Sequence, residues 1–300
     1  MRADLCSNGL VDLGLGRNGT IGGDAIGVGM RRAGDPDTDV LTTPNSWSAW
    51  GISDGNYSGS ADRHSGVPEG MLGLSGFNPT GSTGALNAEL FAYTPSGMET
   101  RLSVRFDYRP LASPNVYAID VQVQRRTLSK TTGPTLFDMV LGFDVPPDTG
   151  DTHVTWNSAT AQIPAFVTHM GCDGYHSGNP FQPAGAPATL GTTCGQNGQG
   201  THVQLNLGDL AVGEQATFTM YVGVTTSTRT ATIAIDTIDA ALYATAEPAS
   251  GAEAPGGVVG IFALSPSPTP PPRPHQDTAD NEGHSKQAGT TRTTTRGVNT

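Results

Sequence analysis

Arg101-Leu-Ser-Val-Arg-Phe-Asp-Tyr-Arg109 alternates without a break. Leu102, Val104, Phe106 and Tyr108 fall on one side of an extended chain, and Arg101, Ser103, Arg105, Asp107 and Arg109 on the other. Successive side chains of a strand point to opposite faces, so this stretch is a strand with one face in a core and one in water. Pro110 ends it, because proline cannot donate to a sheet ladder. The pattern then repeats, with Tyr117, Ile119, Val121 and Val123 set against Ala118, Asp120, Gln122 and Gln124. A short connection containing proline and asparagine joins the two runs and predicts a hairpin.

Working outward, Leu136-Phe-Asp-Met-Val-Leu-Gly-Phe-Asp-Val145 is more apolar and reads as a central strand, stopped by Pro146-Pro147. Further strands are expected at 152–157, 163–169, 201–207 and 215–225; in the last, Phe218, Met220, Val222 and Val224 share a face. Upstream, residues 5–45 hold short apolar pieces separated by glycine, the pattern of short strands and turns. A helix is predicted near 230–245, where Ile235, Ile238 and Leu242 stand at i, i+3 and i+7 and Pro248 lies just beyond. Residues 257–264 read as a closing strand. Strands that alternate with turns pair antiparallel. The fold class is therefore all-β: an antiparallel β-sandwich or supersandwich of ten or more strands with one short helix, over residues 1–264.

At Ser265 the composition changes. Residues 265–274 form a Pro-rich linker suited to stiff polyproline II. Residues 275–300 hold almost no apolar side chains and read as a disordered tail.

Only 14% of the residues are charged, against about 25% in ordinary soluble domains. Lys130 and Lys286 are the only lysines. Gly, Ser, Thr and Asn carry the surface, a style that suits exported β proteins. Residues 265–300 carry four basic and three acidic groups, leaving 12 and 24, a balance of −12, in the preceding 264. An acidic body repels phosphate backbones and anionic lipid, which argues against nucleic acid and membrane surfaces as partners. No run approaches the roughly 20 apolar residues of a membrane span, so no membrane insertion is expected. No apolar run precedes Cys6, and the export reading expects the signal upstream of Met1.

Cys172 and Cys194 bracket a Gly/Pro-rich loop, and a disulfide between them would pin it in an oxidising compartment. Cys6 is left over. The competing reading joins His169, Cys172, His176 and Cys194 in a zinc set; the loop composition favours the disulfide. Asp35, Asp37 and Asp39 place three carboxylates at alternate positions, a weak signal for calcium, the one cofactor this pattern suggests. Trp47, Trp50 and Tyr57 sit among polar, glycine-rich neighbours, where exposed rings could stack on sugars and bind polysaccharide or cell wall; buried rings would anchor the core instead. Gly14-Leu-Gly16-Arg-Asn-Gly19 and Gly51-Ile-Ser53-Asp-Gly55 match a dinucleotide fingerprint and a nucleophile elbow in letters alone. Neither is followed by the helix its chemistry needs.

Trp47-Ser-Ala-Trp50-Gly-Ile-Ser-Asp54, Phe143-Asp-Val-Pro-Pro147 and Leu207-Gly-Asp-Leu-Ala-Val-Gly-Glu-Gln-Ala-Thr-Phe-Thr-Met-Tyr-Val-Gly223 resemble segments of a group of uncharacterised exported bacterial proteins. The resemblance covers residues 8 to 264. It implies a secreted or surface β-sandwich module, with no established activity to carry over. Function is accordingly expected to be that of a non-enzymatic binding or structural module. The alternatives are a secreted polysaccharide-acting hydrolase using Asp54 and Asp144, and a calcium-stabilised adhesion domain.

Overall fold

The computed structural model describes residues 4–22, 27–41, 48–62, 68–111, 115–129, 133–174, 181, 185–194 and 200–266. Its first strands are β1 (Asp4–Ser7), β2 (Val11–Leu15), β3 (Met30–Arg32), β4 (Ser48–Ser53), β5 (Ser58–Asp62) and β6 (Pro68–Gly70). Next come β7 (Leu72–Thr80), β8 (Thr83–Thr94), β9 (Gly97–Pro110), β10 (Val116–Arg125), β11 (Leu136–Gly142) and β12 (Thr152–Ser158). The last are β13 (Val167–Gly171), β14 (Thr193–Cys194), β15 (Gly200–Asn206), β16 (Gln215–Thr225), the helix α1 (Thr228–Thr237), β17 (Leu242–Pro248) and β18 (Val259–Leu264).

Two large sheets face one another. One has nine strands in the order β14-β12-β17-β18-β16-β10-β9-β8-β7, the other six in the order β13-β15-β11-β4-β5-β6. A small sheet, β1-β2-β3, adds Cys6, Leu13, Leu15 and Met30 to the same core. Every ladder is antiparallel. The sandwich expected from the alternation at 101–109 is present: Leu102, Val104, Phe106 and Tyr108 are buried in β9, but Arg101, expected in water, is buried as well. The predicted hairpin is the β9–β10 pair, with Val121 opposite Phe106.

Aromatic side chains from the two sheets meet in the middle. Trp50 of β4 packs edge-on against Phe106 of β9 with ring centres 4.7 Å apart, and Phe137 of β11 meets Phe218 of β16 at 5.0 Å. Offset and edge-to-face pairs of this kind add to the burial of large apolar surface. β11 lies between β15 and β4, as its apolar run implies, and six of its seven residues are buried.

Among the described residues the one α-helix begins two residues earlier than its spacing suggested and ends at Thr237. Ser227 caps it: its hydroxyl accepts from the Thr230 amide, and the Thr230 side chain accepts from the Ser227 amide. Ala231, Ala234 and Ile235 pack on Val116, Val259 and Ile261, on the outer side of the nine-stranded sheet. Beyond Asp239, whose φ is +50°, the chain turns into β17. There Leu242, Ala244 and Ala246 are buried and alternate with Tyr243, Thr245 and Glu247, so residues 242–245 are strand and not helix. Leu242 satisfied both periods, and the sheet claimed it. Residues 267–300, with most of the Pro-rich linker and all of the tail, lie outside the described residues. Among the described residues no helix is long and apolar enough to cross a membrane.

Candidate functional site

The expected aromatic platform is not assembled. Trp50 is fully buried, and its indole N–H donates to the Asn18 carbonyl at 2.8 Å. Its ring is a core residue and offers no face to a sugar. Tyr57 is half-buried against the core with the Arg101 guanidinium 5.3 Å over its ring. Trp47 lies outside the described residues.

The three aspartates read as a calcium signal do not converge. Asp39 is buried and spends its oxygens on the amides of Gly29, Met30 and Leu41, at 2.9–3.0 Å. It is a backbone anchor whose carboxyl burial pushes above the usual range. Asp35 pairs with Arg32 at 3.3 Å, and Asp37 points outward from a single 3₁₀ turn.

Asp54 and Asp144 are also kept apart. Asp54 follows Ser53, which is paired with Leu136 at the start of β11; Asp144 lies beyond the far end of that strand. The seven residues of β11 separate them by roughly 20 Å, against about 5–10 Å for carboxylates that share a glycosidic bond. Each has a structural role. Asp54 is buried and accepts from Arg101 at 2.6 Å and from the Asn56 and Tyr57 amides, whereas Asp144 accepts from the Gly150 amide.

Cys172 and Cys194 are joined in a disulfide, as expected, with Cα atoms 6.2 Å apart. The pairing removes both thiols from any zinc set; His176 lies outside the described residues. Cys6 is a buried thiol that donates to the Thr83 carbonyl at 3.5 Å.

Beside the disulfide, on the outer face of the six-stranded sheet, the structure assembles a cluster that the sequence did not reveal. Phe137, Met139 and Leu141 of β11 and Val203 and Leu205 of β15 point into the sandwich, so Asp138, His202 and Gln204 point the other way. His169 of β13 is opposite Gln204, and Asp173 follows the strand. His202 is completely buried between two carboxyl groups. Its Nδ1 lies 3.3 Å from Asp173 Oδ1, and its Nε2 lies 3.4 Å from Asp138 Oδ1. Gln204 donates to both oxygens of Asp138, at 3.2 and 3.3 Å, and the Gly185 amide donates to Asp173 at 3.3 Å. The rings of His169 and His202 meet edge to face, 4.7 Å between centres.

Burial opposes charge on the His202 imidazole, but the flanking Asp138 and Asp173 carboxyls prevail and lift its pKa to about 9. Burial raises Asp138 to about 6, with His202 and Gln204 holding it from going further. Burial and the nearby His202 charge lower His169, which stays a neutral base.

The segment after β13 lies directly on the strands. A Cβ at Gly174 would stand 2.4 Å from the Thr201 carbonyl oxygen, and one at Gly200 2.3 Å from that of Leu141. An open cavity of about 520 Å³ adjoins the cluster, lined by Asp173, Gly185, Pro187, Thr189, Thr192 and the disulfide.

A second polar surface lies on the outer side of the nine-stranded sheet, where α1 does not reach. Asn87, Glu89, Ser103, Arg105, Gln122, Gln124 and Arg126 line a shallow depression of about 270 Å³ across β8, β9 and β10. It continues through Gln122 into another, bounded by Asp107, Asp120, Thr217 and Thr219. Neighbouring side chains hold each other in place. Arg105 grips Asp107 through two bonds of 2.7 and 2.8 Å, Asp120 accepts from Arg109 and from the Thr219 hydroxyl at 2.7 Å, and Gln122 donates to Gln215.

No family model matches the chain, and no curated protein matches it. Among solved structures it is similar to the Slr1438 protein of Synechocystis sp. PCC 6803, with 12% identity, a TM-score of 0.30 and coverage of 88% of this chain and 85% of that one. It is also similar to a galactose mutarotase related enzyme from Lactobacillus acidophilus, with 9% identity, a TM-score of 0.29 and the same coverage. Neither likeness is close enough to bear on function.

Proposed function

We propose that this chain is an exported, non-enzymatic surface or binding module that meets a hydroxyl-rich polymer, a polysaccharide of the cell wall type, on the outer face of its nine-stranded sheet. The observation that carries the reading is the uncovered polar depression over β8, β9 and β10. Its amide, guanidinium and hydroxyl groups include donors and acceptors, with Arg105 held by Asp107 and Gln122 by Gln215. Sugar hydroxyls both donate and accept, so a rigid array of donors and acceptors suits them, and fixing it beforehand lowers the ordering cost of binding. The disulfide and the weakly charged surface support export. The separation of Asp54 from Asp144 weighs against the hydrolase alternative.

The test is retention of the full chain on a panel of insoluble polysaccharides and bacterial cell walls, for the wild type and for an Arg105→Ala, Gln122→Ala, Gln124→Ala triple variant. These side chains face water and their loss should leave the melting temperature nearly unchanged. Retention on a polymer that disappears in the triple variant supports the reading. Absence of retention on every polymer, or retention that survives the triple change, overturns it.

A further inference from the structure

We propose that His169, Asp173 and His202 form a binding site for a divalent transition-metal ion of the zinc class, with Asp138 orienting His202 from behind. This inference is independent of the polymer-binding reading and concerns the opposite sheet.

The ligand atoms of these three side chains lie within 4.8 Å of one another. Among the described residues no other group of three His, Cys, Asp or Glu side chains gathers in this way. In a tetrahedral site with ligands about 2.1 Å from the ion, ligand atoms stand roughly 3.4 Å apart, so about an ångström of side-chain movement closes the set.

His169 supplies the second observation. Its Nε2 is buried and, among the described residues, meets no hydrogen-bond partner. A buried polar atom normally has one, and an orphan calls for an occupant. Gly171 supplies the third. A Cβ there would stand 2.5 Å from Asp173 Oδ1 and 2.8 Å from His169 Nε2. Carboxylate oxygen and imidazole nitrogen thus converge over the one residue of β13 that lacks a side chain.

The surroundings of His202 fit the same reading. With Asp138 accepting from Nε2–H, the ring nitrogen turned toward Asp173 is Nδ1, which gives up its proton when the ion binds. A ligating histidine usually gives its other N–H to a carboxylate, which fixes its tautomer and orientation. Gln204 in turn holds that carboxylate. Two imidazoles and one carboxylate favour zinc and its neighbours over calcium or magnesium, which seek six or more oxygens. The disulfide removes the two cysteines that would otherwise compete for the ion. Bound there, the ion would tie β13 to β15 and to the segment that starts at Cys172.

The test uses the full chain, stripped with a chelator and dialysed. Zinc is titrated in competition with a chromogenic chelator, cobalt is added as a spectroscopic probe, and melting is followed with and without zinc. His169→Gln is the principal variant, since among the described residues the half-buried ring makes no hydrogen bond whose loss would unfold the protein; circular dichroism checks the fold. His153→Gln, on β12, is the control. The expected result is one zinc per chain, a rise in melting temperature, and tetrahedral cobalt absorption. His169→Gln should weaken binding at least tenfold, Asp138→Asn ten- to a hundredfold, and His153→Gln not at all. Wild type that binds no stoichiometric zinc overturns the proposal, and so does zinc affinity unchanged by His169→Gln.

Discussion

Trp50 and Tyr108 stand on opposite sheets and donate to consecutive carbonyls of one turn. Trp50 Nε1 reaches the Asn18 oxygen at 2.8 Å, and the Tyr108 hydroxyl reaches that of Gly19 at 2.8 Å. Both side chains are buried. Gly19 has φ +79°, and a Cβ there would stand 2.3 Å from Leu86 Cδ2, so the turn is pressed into the mouth of the sandwich. Part of what resembled a dinucleotide fingerprint at Gly14, Gly16 and Gly19 is this close approach.

Removing either donor takes away a buried hydrogen bond to this turn. Tyr108→Phe should cost about 1–2 kcal/mol. Trp50→Phe should cost more, about 2–4 kcal/mol, because it also leaves a cavity. Because the two donors hold one turn, the double variant should fall short of the sum by at least about 0.5 kcal/mol. Urea unfolding of the four proteins reads this directly. Strict additivity would show that the sheets hold the turn independently.

Asp54 faces two buried guanidinium groups, Arg101 at 2.6 Å and Arg125 at 3.5 Å, while Asp107 pairs with Arg105 in the open. Asp54→Ala takes the carboxylate away from two buried guanidinium groups and should destabilise by about 3–5 kcal/mol. Asp107→Ala should cost no more than about 1 kcal/mol, since exposed pairs are screened. Chemical denaturation compares the two. Similar losses would mean that water reaches Arg101 and Arg125.

The legible part of the fold lies where one sheet face meets water and the other meets the core. That contrast wrote the alternation of β9, β10 and β16 into the sequence. It fails at β17, whose inward residues Ala244 and Ala246 are too small to mark a face, and Leu242 was absorbed into a helical spacing. The cysteine pair was readable because a bond needs only two bracketing residues. The His202 cluster was not, because its members come from β11, from β15 and from the end of β13. Only the pairing register brings Asp138 beside Gln204 and Gly171 beside His202. The one local hint was Asp138 itself, a charged residue inside an otherwise apolar run. Trp50 misled for the opposite reason: its polar, glycine-rich neighbours suggested exposure, whereas Ser48, Ala49, Gly51 and Ser53 belong with it to β4, where Ser48, Ala49 and Gly51 are themselves buried.

Asp12 ties the small sheet together, accepting from Arg31 Nε at 3.1 Å and from the Gly34 amide at 3.2 Å. Burial alone would raise its pKa, but hydrogen bonds from Ser7, Gly34 and Arg31 more than offset it, so the carboxyl sits below its ordinary 3.8. The folded state therefore prefers the ionised form. Its stabilisation is complete above the unfolded value and is lost as pH falls through the lower folded value. Asp12→Asn should lower the melting temperature at pH 7, and the gap to wild type should close below about pH 4. Calorimetry between pH 2 and 7 follows it. A gap that persists to pH 2 would assign the loss to shape rather than charge.

The Cys172–Cys194 bond spans 22 residues and adjoins Asp173, which meets His202 and accepts from the Gly185 amide. Chain-entropy arithmetic gives a loop of this length roughly 3 kcal/mol of stabilisation. A Cys172→Ser, Cys194→Ser variant should lose about that much by denaturant unfolding. The loss should be local in its dynamics. The short strand β14 pairs only with Val154 and Thr155, whereas β9 and β10 sit inside the nine-stranded sheet. Amide exchange should therefore quicken at Met170, His202 and Thr193 by more than the global loss, while Phe106 and Val121 quicken only as far as that loss requires. An equal acceleration of both groups would mean that the bond acts through the unfolded chain alone and has no special hold on the residues around Asp173.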